Sequence, residues 1–382
     1  MKKLLLLPII LSLMLSVLEA KKKSDEIDHV ALAALLLRDG QIQKAADELG
    51  SVDLEDESVD LVRFYTLKGL VALKQGLYKE SNSYFLDSIK AGQEEKSIFL
   101  YMAQNSFKLK EYKESLGYLN AAGELAFEKP SLYSLRAEIH WRLEEHSKSY
   151  EVLEQGLGKF AFEQSLLKQR FFYSISLELY QSALEDARIY LTNAELDEQS
   201  SIVFVNAFKQ ANQLDDAIVL AEELLLEFDK SAKLTALLAY LYVDKGMLQS
   251  AADLFSKASL KDVVYTKESA ELYRRAKNFV LSLYKNSQLL DTKEKLKQRI
   301  AIYLEYGAYE KVVVSHNALK RSGLIEDENI RYALAYAYYM VKDFDACEKE
   351  LKKLRSAELF TKATELRKNI QKCKTDGWEC EL

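Results

Sequence analysis

A short pattern of residue types recurs about every 34 residues along most of this chain. It comprises a small residue, a turn position seven residues later, a bulky apolar residue two further on and a second small residue three after that. Gly69, Gly76, Tyr78 and Ser81 are one copy. A fixed period of this length indicates a solenoid in which each repeat packs only on its neighbours. The turn positions are Gly40, Gly76, Lys110, Glu144, Glu178, Asn212, Gly246 and, after a gap of 61 residues, Gly307 and Lys342.

Each repeat has the periodicity of two amphipathic helices joined by a tight turn. In the second repeat, Phe64, Leu67 and Val71 share one helical face before the turn, and Ser81 and Phe85 share another after it. Two prolines and 13 glycines in 382 residues leave such helices largely uninterrupted. A single compact domain of this length would be unusual, whereas a solenoid grows by adding repeats. We therefore predict an all-α chain.

The repeated positions resemble those of the tetratricopeptide repeat (TPR) family. The resemblance implies a right-handed α-solenoid of about nine TPR-like helix pairs, closed by a C-terminal capping helix. The small position of the first helix is matched by Ala33, Gly69, Ala103, Ala137, Ala239 and Ala335. The small position of the second helix is matched by Ala45, Ser81, Ser115, Ser149, Ala183, Ala217, Ala251 and Cys347.

The pattern divides the chain into five segments. Residues 1–20 read as a signal peptide, and residues 21–260 as an N-terminal TPR array of about seven repeats. The register is lost in residues 261–292, which we interpret as a degenerate repeat or a boundary. Two TPR-like repeats follow in residues 293–356, and residues 357–382 form the capping helix and a cysteine-containing tail.

The N-terminal segment has the composition of a secretory signal peptide. Lys2 and Lys3 precede an apolar run that ends at Leu18, and Ala20 suits the residue before a cleavage site. The run is shorter than the ~20 residues that span a membrane comfortably. We expect cleavage and export to the periplasm of a bacterium; an uncleaved membrane anchor is the alternative.

Export places the three cysteines in an oxidising compartment. Cys347 occupies a small position of the last repeat, so we expect a buried free thiol. Cys373 and Cys380 flank a turn-forming Asp376-Gly377 pair that could fold the tail back. We predict a Cys373–Cys380 disulfide; the alternative is two free thiols on a frayed end.

No motif in the chain points to chemistry. The four histidines lack the spacing that presents two metal ligands on one helical face, and no glycine-rich phosphate loop is present. A net charge of −6 argues against a nucleic-acid partner. We predict no catalytic residue, no metal, no cofactor and no small-molecule substrate, and therefore a protein that is not an enzyme.

In the TPR family, ligands usually bind along the first helices, which line the concave groove. One row of groove positions is basic in the first four repeats and is occupied by Ser176, Gln210 and Asp244 in the next three. This charge distribution would suit an acidic or C-terminal peptide segment. Lysine is also common at this position whatever the ligand, and aromatic residues also simply pack between helices. The basic row is Arg38, Lys74, Lys108 and Arg142. The candidate aromatic residues are Phe107, Trp141, Phe172, Tyr240, Tyr332, Tyr336 and Tyr339.

The predicted function is a non-catalytic scaffold or adaptor in the periplasm that binds a protein or peptide partner along this groove. Any association with a membrane would come through its partners. Two alternatives stay open: a structural component of an envelope machine such as a motility or secretion complex, and an accessory subunit of a cell-wall enzyme.

Overall fold

The first five helix pairs lie in the first of two compact units. The computed structural model describes residues 27–193 and 197–375, and the chain divides into Met1–Glu195 and Leu196–Leu382. A 3₁₀ helix at Gly123–Phe127 supplements the α-helices of the first unit. Those helices are α1 (His29–Arg38), α2 (Ile42–Gly50), α3 (Leu61–Gln75), α4 (Tyr78–Lys90), α5 (Ile98–Lys108), α6 (Tyr112–Ala121), α7 (Pro130–Arg142), α8 (His146–Lys159), α9 (Gln164–Ser176) and α10 (Tyr180–Asn193).

The second unit contains five further pairs and a final single helix. Short 3₁₀ helices lie at Val263–Tyr265 and Leu324–Glu326, and neither unit has a β-strand in its described residues. The α-helices are α11 (Glu198–Gln210), α12 (Leu214–Glu227), α13 (Ala232–Asp244), α14 (Leu248–Lys261), α15 (Thr266–Arg275), α16 (Phe279–Ser287), α17 (Thr292–Glu305), α18 (Tyr309–Val314), α19 (His316–Ser322), α20 (Glu328–Met340), α21 (Phe344–Leu351) and α22 (Ala357–Thr375).

One left-handed residue closes the first helix of every pair. Its φ lies between 58° and 79°, and the amide of the next residue bonds the carbonyl oxygen five residues earlier at 2.8–2.9 Å. This is the Schellman arrangement, which satisfies carbonyl groups that a helix end leaves free. All nine turn positions of the sequence pattern have this conformation, and Lys277 is a tenth.

The two small positions let the helices of a pair approach closely. Ala33, Ala103 and Ala137 are fully buried, as are their counterparts on the second helices. Where that counterpart is serine, its hydroxyl donates to the carbonyl oxygen of the first small residue, as Ser115 does to Ala103 at 2.7 Å. The same bond joins Ser81 to Gly69, Ser149 to Ala137 and Ser282 to Ala270. The small residue therefore serves both close packing and a hydrogen bond between helices.

An eighth helix pair, α15 and α16, occupies the stretch where the sequence pattern was lost. Ala270, Lys277, Phe279 and Ser282 reproduce the pattern in full. The sequence pattern indicates only a degenerate repeat or a boundary here, because the turn lies 31 residues after Gly246 and 30 before Gly307 and both helices are short. The all-α solenoid of TPR-like pairs is confirmed, with ten pairs among the described residues rather than about nine.

The C-terminal end of the second unit departs from the regular pair. The second helix of the ninth pair is broken at Ser315, whose hydroxyl donates to the carbonyl oxygen of Lys311 at 2.7 Å, a bond that often bends helices. Helix α22 then covers the last pair with one apolar face. That face consists of Leu359, Ala363, Leu366 and Ile370.

Gly69 tests how tightly the small position is constrained. A Cβ atom there would collide with the buried ring of Phe85, whereas a Cβ atom on the helical Gly117 would meet nothing within 4 Å. We expect Gly69→Ala to lower the free energy of unfolding by about 1–3 kcal/mol through overpacking. Gly117→Ala should raise it by about 0.5–1 kcal/mol, because alanine favours the helix.

Denaturant unfolding of both variants checks this pair of predictions. The double variant Gly69→Ala with Phe85→Leu should recover part of the loss, because the smaller side chain frees the space. Shifts of the same sign in both single variants would contradict the proposed role of the small position.

Candidate partner-binding surface

The structure places the predicted basic row at one equivalent position of four successive pairs. Arg38, Lys74, Lys108 and Arg142 each lie in the last turn of a first helix, two residues before the left-handed turn. A cation at this end of a helix interacts favourably with the helix dipole, by about 0.3–1 kcal/mol. All four side chains are exposed and belong to the first unit.

The four cations differ in their pairing. Arg38 bonds its neighbour Asp39 at 3.3 Å, and Arg142 bonds Glu138 at 2.8 Å. The hydrogen bond and charge of Glu138 raise the pKa of Arg142 further. Lys74 and Lys108 have no ion pair with any described residue. The two lysines are thus the members of the row whose charge is not matched by an ion pair among the described residues.

The continuation of the row carries no net cation. Ser176 and Gln210 end α9 and α11, and Asp244 ends α13. Asp244 forms an ion pair with Lys209 at 3.0 Å. The unbroken run of cations is therefore limited to the first four pairs, and a single exposed cation, Arg275, recurs at this position two residues before the turn at Lys277.

Trp141 lies flat against a ring from the next pair. Its ring stacks on that of Tyr173 with centroids 3.9 Å apart and planes 4° from parallel. The Tyr173 hydroxyl donates to Glu138 at 2.5 Å and contacts the Gln169 amide nitrogen at 2.8 Å. Burial, and then the bond to Glu138, raises the pKa of Tyr173. Because Glu138 also holds Arg142, one carboxylate links the basic row to this aromatic stack.

The other two aromatic candidates of the first unit are partly buried. Phe107 contacts Tyr112 across the turn of its own pair, with ring centroids 5.7 Å apart. Phe172 packs edge-on against the buried Phe171 at 5.0 Å. Both rings contribute to packing within the array.

Tyr240 is the most accessible of the aromatic candidates, with 44% of its surface exposed. Its ring packs edge-on against Phe255 at 4.9 Å, and the Lys209 ammonium lies 5.9 Å from its centre. Burial of its hydroxyl raises the pKa of Tyr240. Tyr240, Lys209 and Asp244 thus form a small mixed surface on the second unit.

The three tyrosines of α20 are largely taken up by packing. Tyr339 is only 6% exposed and lies 6.0 Å from the Phe344 ring. Tyr336 meets Tyr309 edge-on at 5.9 Å, and burial raises its pKa. Tyr332 is partly buried in the same core. Their spacing on one face of α20 reflects contact with α18 and α21 more than an open surface.

A buried ionic cluster ties the last helices together. Glu350 accepts hydrogen bonds from Arg331 and Lys353, both at 2.8 Å. Burial alone would raise the pKa of Glu350, but these two bonds outweigh it and the pKa lies below its usual value. Nearby, His316 bonds the Tyr338 hydroxyl at 2.7 Å. A carboxylate held this firmly by two cations is suited to structural cross-linking rather than to proton transfer.

Two of the three cysteines lie within the described residues. Cys347 is a free, buried thiol whose pKa is raised to about 12 by burial. Cys373 is disulfide-bonded, and Cys380, its predicted partner, lies outside the described residues, as does the segment 1–20.

Within 27–193 and 197–375 no group of three potential ligands could hold a metal ion. Nor is any helix in those ranges both long and apolar enough to cross a bilayer.

Sequence reasoning missed Tyr173, Glu138 and Gln169 as one connected group. Each residue type is unremarkable at its position, so only the stacking of Trp141 across two pairs reveals the connection. A comparison of residues 34 or 35 apart would have placed Glu138 beside Tyr173, since neighbouring repeats bring such positions together.

No family model and no curated protein matches this chain. Among solved structures it is similar to a tetratricopeptide repeat protein of Parabacteroides merdae, with 14% identity and a TM-score of 0.44 over 64% of this chain and 96% of that one. It is also similar to YrrB, a TPR protein with an unusual peptide-binding site, with 19% identity and a TM-score of 0.41 over 48% and 92%. The PilF protein of Pseudomonas aeruginosa gives 14% identity and a TM-score of 0.39 over 53% and 91%.

The stack on Tyr173 predicts that Trp141 contributes to stability. Trp141→Ala should lower the free energy of unfolding by about 2 kcal/mol, because it removes a partly buried ring and that ring's stacking contact with Tyr173. Trp141→Phe should restore much of that loss. Thermal unfolding followed by circular dichroism measures both, and an unchanged midpoint for the alanine variant would show that the ring is dispensable for packing.

Proposed function

We propose that this chain is a non-catalytic scaffold that binds an acidic segment of a protein partner along the first helices of its first unit. The single observation that carries the proposal is the basic row, in which four exposed cations recur at one position of successive pairs. Repetition of one charge at a fixed interval suits an extended acidic segment, because each pair offers it the same contact.

Lys74 and Lys108 are the cations that we expect to contact the acidic segment most directly. Neither has an ion pair with a described residue, so a partner carboxylate would not have to displace an existing one. Arg38 and Arg142 lie at the two ends of the row and already share their charge with Asp39 and Glu138. Exposed charges of this kind guide association and set orientation more than they add affinity.

The location we propose is the periplasm. The support is the sequence of residues 1–20 together with Cys373, whose disulfide fits an oxidising compartment. If the proposal is correct, the protein isolated from the envelope should begin after Ala20, and alkylation in denaturant without reductant should label Cys347 alone, because unfolding exposes this buried thiol. Mass spectrometry of the intact protein checks both, and a retained leader with three alkylated cysteines would contradict periplasmic export.

Charge reversal tests the binding row. The double variant Lys74→Glu and Lys108→Glu should lose an acidic partner, because the row becomes repulsive at two adjacent pairs. Crosslinking in intact cells followed by quantitative mass spectrometry should show partners captured by the wild-type chain and depleted in the variant. The expected loss is at least roughly tenfold, which corresponds to about 1.4 kcal/mol.

A matched control exists on the second helices. Lys79 and Lys113 are likewise exposed, likewise 34 residues apart, and begin the second helices of the same two pairs. Lys79→Glu with Lys113→Glu changes the net charge equally and should leave capture unchanged. Equal depletion in both double variants would mean that net charge, and not the row, determines binding.

A further inference from the structure

Helix α16 exposes apolar side chains to solvent and buries polar ones. Val280 and Tyr284, one helical turn apart, are 76% and 58% exposed. The opposite face buries Ser282, Lys285 and Asn286 almost completely. A helix on the surface of a protein normally places its apolar side chains inward and its charges outward.

The turn at Lys277 fixes this rotation. It sets the start of α16, and the Ser282 hydroxyl locks the helix to Ala270 at 2.7 Å. Asn286 then falls at the position that holds a leucine or phenylalanine in six of the other pairs. It bonds Gln298 at 3.1 Å, and Lys285 bonds Ser259 at 3.1 Å. The buried polar groups are thus hydrogen-bonded, and Val280, Leu281 and Tyr284 of α16 are left exposed.

An apolar cleft lies where α16 ends. It has a volume of about 480 Å³, and the apolar part of its lining consists of Val263, Val264, Leu289 and Leu290. Val263, Val264 and Leu290 are 67%, 61% and 82% exposed. Residues 260–290 supply seven of the 14 large exposed apolar side chains in the described part of the second unit, so exposure here is concentrated rather than scattered.

The charged lining of this cleft is predominantly acidic. Asp262, Asp291 and Glu294 contribute three carboxylates, and Lys267 contributes one ammonium group, which already pairs with Glu294 at 2.9 Å. The hydrogen bond that Lys267 donates to Glu294, together with the charges of Glu294, Glu268 and Asp291, raises the pKa of Lys267. Asp262 and Asp291 each cap the start of a helix through one carboxylate oxygen, and the other oxygen has no partner among the described residues.

We propose that the apolar cleft is a second docking site, which takes a protein segment with a bulky apolar side chain flanked by lysine or arginine. The apolar walls would cover the bulky side chain, and the free carboxylate oxygens of Asp262 and Asp291 would meet the flanking cations. This site is separate from the basic row, so it attracts segments of the opposite charge.

Two labelled peptides distinguish this proposal from non-specific adhesion. One is a fluorescein-labelled peptide of leucine and lysine, and the other replaces each lysine by glutamate at the same length. Fluorescence anisotropy with the full chain should show saturable binding of the lysine peptide that weakens as salt is added, and much weaker binding of the glutamate peptide. Equal binding of the two peptides would overturn the charge complementarity on which the proposal rests.

Variants locate the site. Leu290→Ser should weaken binding of the lysine peptide roughly tenfold, because a buried leucine contact is lost. Leu226→Ser is the control, since Leu226 is also 82% exposed but lies in α12, outside the cleft lining. Asp262→Asn with Asp291→Asn removes two charges while asparagine still caps both helices. This variant should also weaken binding and reduce its salt dependence.

Three results would overturn the assignment. They are an equal effect of Leu290→Ser and Leu226→Ser, no effect of the double asparagine variant, and concentration-dependent self-association that Leu290→Ser abolishes. The last would identify the occupant as a second copy of this chain. The double variant at Lys74 and Lys108 should bind the lysine peptide normally, so failure of this site and failure of the basic row remain distinguishable.

Discussion

The left-handed turn after each first helix is the constraint on which the rest of the structure depends. One residue with φ of 58–79° sends the chain back, and the next amide closes on a carbonyl group five residues earlier. Because backbone atoms make these bonds, the turn does not require glycine, and six of the ten turns use another residue at a cost of about 1–2 kcal/mol each. The side-chain requirement of the pair lies instead at the two small positions, where only a small residue lets the second helix pack closely against the first.

The eighth pair shows that this geometry outweighs the hydrophobic pattern. In α16 the turn and the Ser282 bond determine which face points inward, although that face carries Lys285 and Asn286. Burying a lysine away from a carboxylate lowers its pKa through desolvation, as it does for Lys285. The neighbouring hydroxyl and carbonyl groups compensate only in part, so this pair is expected to be less stable than pairs such as α13 and α14, whose buried faces are alanine- and leucine-rich.

The fold could be predicted from sequence because the turn and small positions recur at a fixed interval, and residue types at those positions carry the geometry. The eighth pair is predicted only as a degenerate repeat or a boundary, because its intervals are 31 and 30 residues instead of 34, although Ala270, Lys277, Phe279 and Ser282 match the pattern. The basic row could be predicted as a set, since equivalent positions follow from the period. The environment of each aromatic ring could not, because Tyr240 and Tyr336 both lie six residues before their turns, yet Tyr240 is exposed and Tyr336 is partly buried. That difference depends on neighbouring pairs, as the stack of Trp141 on Tyr173 illustrates.

The two proposed surfaces differ in how much they contribute to the stability of the chain without a partner. A lysine in the last turn of a helix is favourable even without a partner, so the position of the basic row alone does not require one. The stronger indication is that Lys74 and Lys108 form no ion pair with a described residue. The eighth pair gains nothing comparable from its exposed valines and leucines, which leave apolar area in water while polar groups occupy the interior. A partner that covers Val263, Val264 and Leu290 would recover that hydrophobic free energy, whereas a partner on the basic row would mainly gain speed and orientation of association.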